Sequence, residues 1–166
     1  MLTGLNAAKS LSLLHEIPIV GVNHLYAHLE AIHLSKNQSY PYLGLLVSGG
    51  HSLYLLVNSS TEFEIIGTTL DDAAGEAFDK GGKILGLGYP AGRIIDDFAK
   101  GGDPLKFEFP IGLKNSANAN LSYSGVKTSM RQFLAKNPQY DCEAKAPADY
   151  HPEIKDVCAS YQHAIV

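Results

Sequence analysis

Residues 42–57 read Tyr42-Leu43-Gly44-Leu45-Leu46-Val47-Ser48-Gly49-Gly50-His51-Ser52-Leu53-Tyr54-Leu55-Leu56-Val57, two apolar runs separated by a short polar, glycine-bearing segment. Apolar runs of this length bounded by turn residues are strands, so the segment is a strand-turn-strand hairpin, with strands over residues 42–47 and 53–57. Two adjacent glycines let a backbone approach an anion closely and aim its N–H groups at phosphate oxygens; a plain hairpin turn is the alternative. Ser48 and His51 are more than a turn requires, and either can reach a ligand.

Outward from the hairpin, residues 63–67 form a further strand. A helix follows that Asp71 or Asp72 caps and that runs through Ala77 to about Leu85. Gly86, Gly88, Pro90 and Gly92 then mark a turn before a short helix that Lys100-Gly101-Gly102 ends. Residues 107–120 lack periodicity, 124–135 are helical, and 137–152 are a polar loop. Residues 153–166 form a helix whose apolar side chains are Ile154, Val157, Cys158, Tyr161 and Ile165. Toward the N-terminus, residues 5–14 have helical spacing until His15-Glu16 and Pro18 stop them, residues 17–22 read as a short buried strand, and Asn23 caps a helix that runs to about Leu34. The last helix is still apolar at Val166, without a capping residue or polar tail, which suggests a chain cut within a larger fold.

The chain has 166 residues, is 45% apolar, and has a formal charge of −4, which fits one modest hydrophobic core and an ordinary soluble surface rather than disorder. No stretch approaches the roughly 20 apolar residues of a bilayer helix, and the first residues do not resemble a secretion signal, so a cytoplasmic location is expected. Cys142 and Cys158 cannot build a disulfide framework and are expected to be free thiols. Overall acidity means that any nucleic acid must meet a local basic surface; Lys80, Lys83, Arg93, Lys127 and Arg131 could supply one, although scattered cations are usually a solvated face.

His24 and His28 are four residues apart on one helix, so both imidazoles project from the same face and suit one shared metal ion. On spacing alone such a pair is more often helix surface, but its place directly after a strand is where active-site groups gather in α/β folds. A zinc peptidase would carry glutamate beside the first histidine. That position is Leu25, and Glu30 lies about 200° around the helix from His28. Between Thr68 and Gly92, small residues at 73, 74, 75 and 77 allow close approach of a ligand or another element. Asp79 before the glycine-rich turn suits the hydroxyls of a nucleotide.

Five segments in one order are together more specific than any alone: Val20-Gly21-Val22-Asn23-His24-Leu25-Tyr26-Ala27-His28, Leu46-Val47-Ser48-Gly49-Gly50-His51, residues 70–80, Tyr89-Pro90-Ala91-Gly92, and Leu121-Ser122-Tyr123-Ser124-Gly125-Val126-Lys127-Thr128. They resemble the TsaD family of tRNA adenosine threonylcarbamoyltransferases, from about Thr3 to the end of the chain. The resemblance implies an α/β fold of the actin-like, sugar-kinase-like class, incomplete at both ends, so that residues 1–166 make one partial domain with no separate second domain. It implies transfer of the threonylcarbamoyl group of threonylcarbamoyl-AMP to N6 of the adenosine immediately 3′ of the anticodon. By motif, His24 and His28 are metal ligands, Val47, Ser48, Gly49, Gly50 and His51 cradle the phosphate side of the adenylate, and Asp79 and Gly92, joined by Asp96, contact its nucleoside end.

The implied cofactor is one divalent metal ion, usually iron, with zinc and magnesium as alternatives; two imidazoles favour iron or zinc. The implied partners are tRNA, an inactive TsaB-like paralogue and a TsaE-like accessory ATPase, with no membrane. The family's upstream phosphate-binding turn, second glycine-rich segment, nucleotide-contacting asparagine and late metal-binding aspartate have no counterpart in residues 1–166. This chain alone is therefore expected to hold metal weakly and to be inactive. Two other readings are a metallopeptidase, which the missing glutamate disfavours, and a noncatalytic partner-binding paralogue, which the retained histidines and the Ser48–His51 turn disfavour.

Overall fold

The apolar runs around the glycine pair do pair with each other. In the computed structural model, which describes residues 2–166, β1 (Tyr42–Val47) and β2 (Ser52–Ser59) are antiparallel, with Tyr42 opposite Val57 and Val47 opposite Ser52. Strand β3 (Glu62–Thr68) pairs antiparallel with β2, giving a three-stranded sheet in the order β1-β2-β3. Alternation sends Leu53, Leu55 and Val57 to one face of β2, and all three are buried.

The chain divides into two compact units, Met1–Ser39 and Tyr40–Val166. The first contains α1 (Leu2–His15) and α2 (His24–Glu30), the latter continued by a 3-10 turn, Ala31–Leu34. Helix α1 buries no residue, so its Ala, Leu and Lys content rather than packing makes it helical. It ends at Glu16, whose φ of 53° leaves the helical region.

Residues 17–22 depart from expectation. They form no strand, and Ile19, Val20 and Val22 are exposed. A strand needs a neighbour for its N–H and C=O rows, and among the described residues no segment forms a ladder with this one.

The second unit adds α3 (Ala74–Ile84), α4 (Gly92–Ala99), α5 (Ser124–Lys136) and α6 (Ile154–Ile165). The expected apolar positions of α6 are all buried in a core shared with Ala77 and Leu85 of the α3 region, Ile95 of α4, and Val126 and Met130 of α5. The fully buried Tyr161 donates its hydroxyl to the carbonyl of Ala77 at 2.8 Å. Residues 137–152 are not simply a polar loop: the turn Pro138–Tyr140 folds Tyr140 and then Cys142 inward, where Tyr140 stacks on Phe133. Both cysteines are free and buried; burial pushes the Cys142 thiol up to about 11 and that of Cys158 up to about 12, so neither is a ready nucleophile.

Asp71 and Asp72 do not cap the helix that follows them. Helix α3 starts after Ala73, whose N–H is met by Glu76 Oε2 at 3.3 Å, so neither aspartate holds the capping position. Asp71 instead caps the distant α5: Oδ1 accepts from the N–H groups of Tyr123 (2.7 Å) and Ser124 (3.1 Å), and Oδ2 from the hydroxyls of Ser122 (2.6 Å) and Ser124 (2.8 Å). Buried Asp72 bridges the two helices, taking Lys80 at 2.8 Å on one oxygen and Lys127 at 2.7 Å on the other.

Burial raises the Asp71 pKa, but those four hydrogen bonds outweigh it and bring the carboxyl down to about 2. A folded pKa below the unfolded value of about 3.9 means that this group's contribution is complete above pH ~4 and is lost as pH falls toward ~2. Because Asp71 is largely exposed, solvent screening reduces the contribution to about 1 kcal/mol. Urea unfolding at pH 5 and pH 2.5 should show the wild type losing about 1 kcal/mol more than Asp71→Asn over that interval. Equal losses would contradict the assignment.

Candidate functional site

Asn23 sets the register of the histidine pair. Its side-chain oxygen accepts from the N–H groups of Leu25 (2.9 Å) and Tyr26 (3.1 Å), so α2 begins at His24 and His28 falls one turn above it. The rings meet edge to face at 75°, with centroids 4.5 Å apart and their Nε2 atoms separated by 3.2 Å. Two nitrogens that ligate one tetrahedral ion at about 2.0–2.1 Å lie roughly 3.3 Å apart, so the pair fits a single shared metal. The same separation suits one ring's N–H donating to the other ring's lone pair in metal-free protein. Both residues are exposed, and among the described residues no group of three His, Cys, Asp or Glu side chains gathers around an ion position.

In the second unit, Ser48 builds the glycine turn from within. Its Oγ accepts from the N–H of His51 (3.0 Å) and of Gly50 (3.3 Å), while its own N–H donates to the His51 carbonyl at 2.7 Å. The Ser48 hydroxyl is therefore engaged by the turn itself. The turn is then fixed onto the start of α3: Gly75 N–H donates to the Ser48 carbonyl (3.3 Å) and Ala74 N–H to Ser52 Oγ (2.8 Å). Only glycine fits at 75, because a Cβ there would lie 2.8 Å from the Ser48 oxygen and 2.9 Å from the Gly49 Cα. Added Cβ atoms on Gly49 and Gly50 would meet nothing, so this edge of the turn is open.

Gly49 lines a depression of about 380 Å³ together with Glu76, Asp79, Lys80, Lys83 and Tyr89. Asp79 is among the residues that line it. One oxygen, Oδ1, accepts from the N–H groups of Ala91 (2.8 Å) and Gly92 (3.3 Å), capping α4; the other takes no hydrogen bond among the described residues. Asp79 and Gly92 are thus brought together, with the Gly92 N–H already used by the carboxylate. Asp96 is elsewhere: it lies a turn further along α4, paired with Lys100 at 3.3 Å and receiving Gln162 Nε2 at 3.3 Å. Val47 faces a separate apolar groove with Leu45, Tyr54 and Phe78, and His51 is half-buried where β2 begins.

Sequence reasoning placed Gly75 among residues that permit close approach but did not name its partner, and gave Glu76, Lys83 and Tyr89 no place beside the turn. The small side chain at 75, opposite a glycine pair, is the signal that foretells the docking.

A family model described as "TsaD: tRNA N6-adenosine threonylcarbamoyltransferase" matches residues 1–166, the whole chain. The chain belongs to the TsaD family. A protein of Thermotoga neapolitana named tRNA N6-adenosine threonylcarbamoyltransferase is 46% identical over 167 residues, covering all of this chain and 47% of that protein. A protein of the same name from Geobacter sulfurreducens is 46% identical over 165 residues, covering 99% of this chain and 46% of its own length. The chain spans about half the length of the curated relatives it matches. Membership is consistent with the α/β class and the three-stranded antiparallel sheet. Among the described residues no helix is long and apolar enough to cross a membrane.

Proposed function

We propose that the protein containing this sequence transfers the threonylcarbamoyl group of threonylcarbamoyl-AMP to N6 of the adenosine immediately 3′ of the anticodon in tRNA. The observation that carries this reading is the docking of the Ser48–His51 turn onto α3 beside a depression that Asp79 and Glu76 border. Open glycine backbone suits the phosphate of an adenylate. The unengaged oxygen of Asp79 suits a ribose hydroxyl, and the exposed Tyr89 ring offers the base an apolar surface. The donor is already activated, so the protein's part is to hold and orient it against the incoming amine.

His24 and His28 would hold one divalent ion; two imidazoles suit iron or zinc better than magnesium, and the family likeness favours iron. When bound, that ion supplies Lewis-acid polarisation of an oxygen. The family likeness also supports an actin-like fold, a TsaB-like paralogue and a TsaE-like ATPase as partners, and work in the cytoplasm. A metallopeptidase is less well supported, since Leu25 stands where its general base would be.

Full-length protein should move label from threonylcarbamoyl-AMP to an unmodified tRNA transcript; no transfer by that protein with metal and partners supplied would overturn the reading. Gly75→Ala should force the turn off α3 and weaken donor binding by at least about tenfold, with tRNA affinity retained. Unchanged donor affinity in calorimetry would show that the turn does not hold the donor.

A further inference from the structure

Four of the five cations that are scattered in sequence meet in space; Arg93 stands apart on α4, 3.8 Å from Asp97. Lys80 and Lys83 of α3, with Ile84 of the same helix, and Lys127 and Arg131 of α5 line one depression of about 440 Å³. Each pair is three or four residues apart, so it projects from a single helix face. The two faces meet because Asp72 ties Lys80 to Lys127. Glu76 also contacts Lys80, at 2.7 Å. Two carboxylates therefore face four cations, and the surplus positive charge stands on a chain whose overall charge is −4. Lys83 and Arg131 are exposed and make no ion pair with the described residues. Helix α5 contains no acidic residue, so nothing along it offsets Lys127 and Arg131.

We infer that this α3–α5 groove binds the sugar-phosphate backbone of the RNA substrate. A groove with two cations held by Asp72 and two exposed ones without ion pairs among the described residues matches a line of phosphates, to which counterion release gives most of the affinity. It also adjoins the depression beside Gly49, since Lys80 and Lys83 line both. A strand lying in the groove thus runs toward the donor. The pinned lysines set the spacing of the track, while Lys83 and Arg131 close on phosphates as the RNA arrives. This inference deepens the proposed function and rests on it only for the choice of RNA; the surplus charge stands independently.

The test is the binding of a fluorescein-labelled, unmodified tRNA transcript to full-length protein between 50 and 300 mM salt, alongside calorimetry with threonylcarbamoyl-AMP. Arg131→Glu should weaken tRNA binding by about tenfold or more and lower the slope of log affinity against log salt by about one, with donor affinity unchanged. The Lys83→Ala, Arg131→Ala double variant should lower that slope by about two. Lys114→Glu, the same charge change on an exposed residue that lines a different depression, should leave tRNA binding as it is. Wild-type tRNA affinity and salt slope in both groove variants would overturn the inference even if transfer proceeds. Absence of transfer with intact, groove-dependent tRNA binding would overturn the proposed reaction and leave the groove standing. An equal effect from Lys114→Glu would reduce the result to overall charge and also overturn it.

Discussion

Alanine at both His24 and His28 is expected to reduce bound metal in the full-length protein from about one ion per chain to a trace, and to cut transfer by about 10³-fold. Two Nε2 atoms 3.2 Å apart on successive turns of α2 could both reach one ion, and each would then be a ligand that no described neighbour replaces: among the described residues there is no third His, Cys, Asp or Glu at the pair. Lewis-acid polarisation is worth several kcal/mol of barrier, and about 1.4 kcal/mol is a factor of ten in rate. Both residues are exposed, so the double variant should unfold at the temperature of the metal-free wild type. Metal analysis and a thermal scan therefore separate loss of a ligand from loss of fold. Full metal content in the double variant would place the ion elsewhere.

The second large effect is structural. Gly81→Ala should destabilise the protein by about 3 kcal/mol, because a Cβ at 81 would overlap the hydroxyl and ring of Tyr161. Tyr161 has no room to retreat: it is fully buried, edge-on to Phe109 with centroids 5.5 Å apart, and its hydroxyl is committed to the Ala77 carbonyl. Overpacking of a dense core costs about 1–3 kcal/mol and a lost buried hydrogen bond about 1–3 more, against roughly 1 kcal/mol regained from the better helix former. Tyr161→Phe removes one of the overlapping atoms. Urea denaturation should then show the double variant to be more stable than the sum of the single losses predicts. Strict additivity would mean that residues 81 and 161 do not meet.

How much of this was legible in sequence depended on how far each residue's partner lies along the chain. The hairpin over residues 42–57 and the buried face of α6 follow from local periodicity, and both stand where that periodicity put them. By sequence Asp71 or Asp72 suits the cap of the nearest helix, whereas Tyr123, Ser124 and Lys127, which bond to them, lie about fifty residues downstream, and no local pattern announces such a bond. Residues 17–22 illustrate the converse. Their apolar side chains mark a segment suited to a sheet, but a ladder partner is a property of the rest of the chain, and none pairs with them among the described residues. For the site, the i, i+4 spacing of the histidines and the glycine pair were readable. That Ser48 spends its hydroxyl on its own turn, that Asp79 caps α4, and that Asp96 faces Gln162 were not, because each depends on where a second element comes to rest.

If His24 and His28 hold an ion that acts on the donor, linkage between ion and donor binding tests it directly. Titrating full-length protein with threonylcarbamoyl-AMP, metal-free and metal-loaded, should give donor affinity at least about tenfold higher with metal, a difference that disappears in the His24→Ala, His28→Ala variant. Identical donor affinity with and without the ion in the wild type, at full occupancy of the histidine site, would contradict the account.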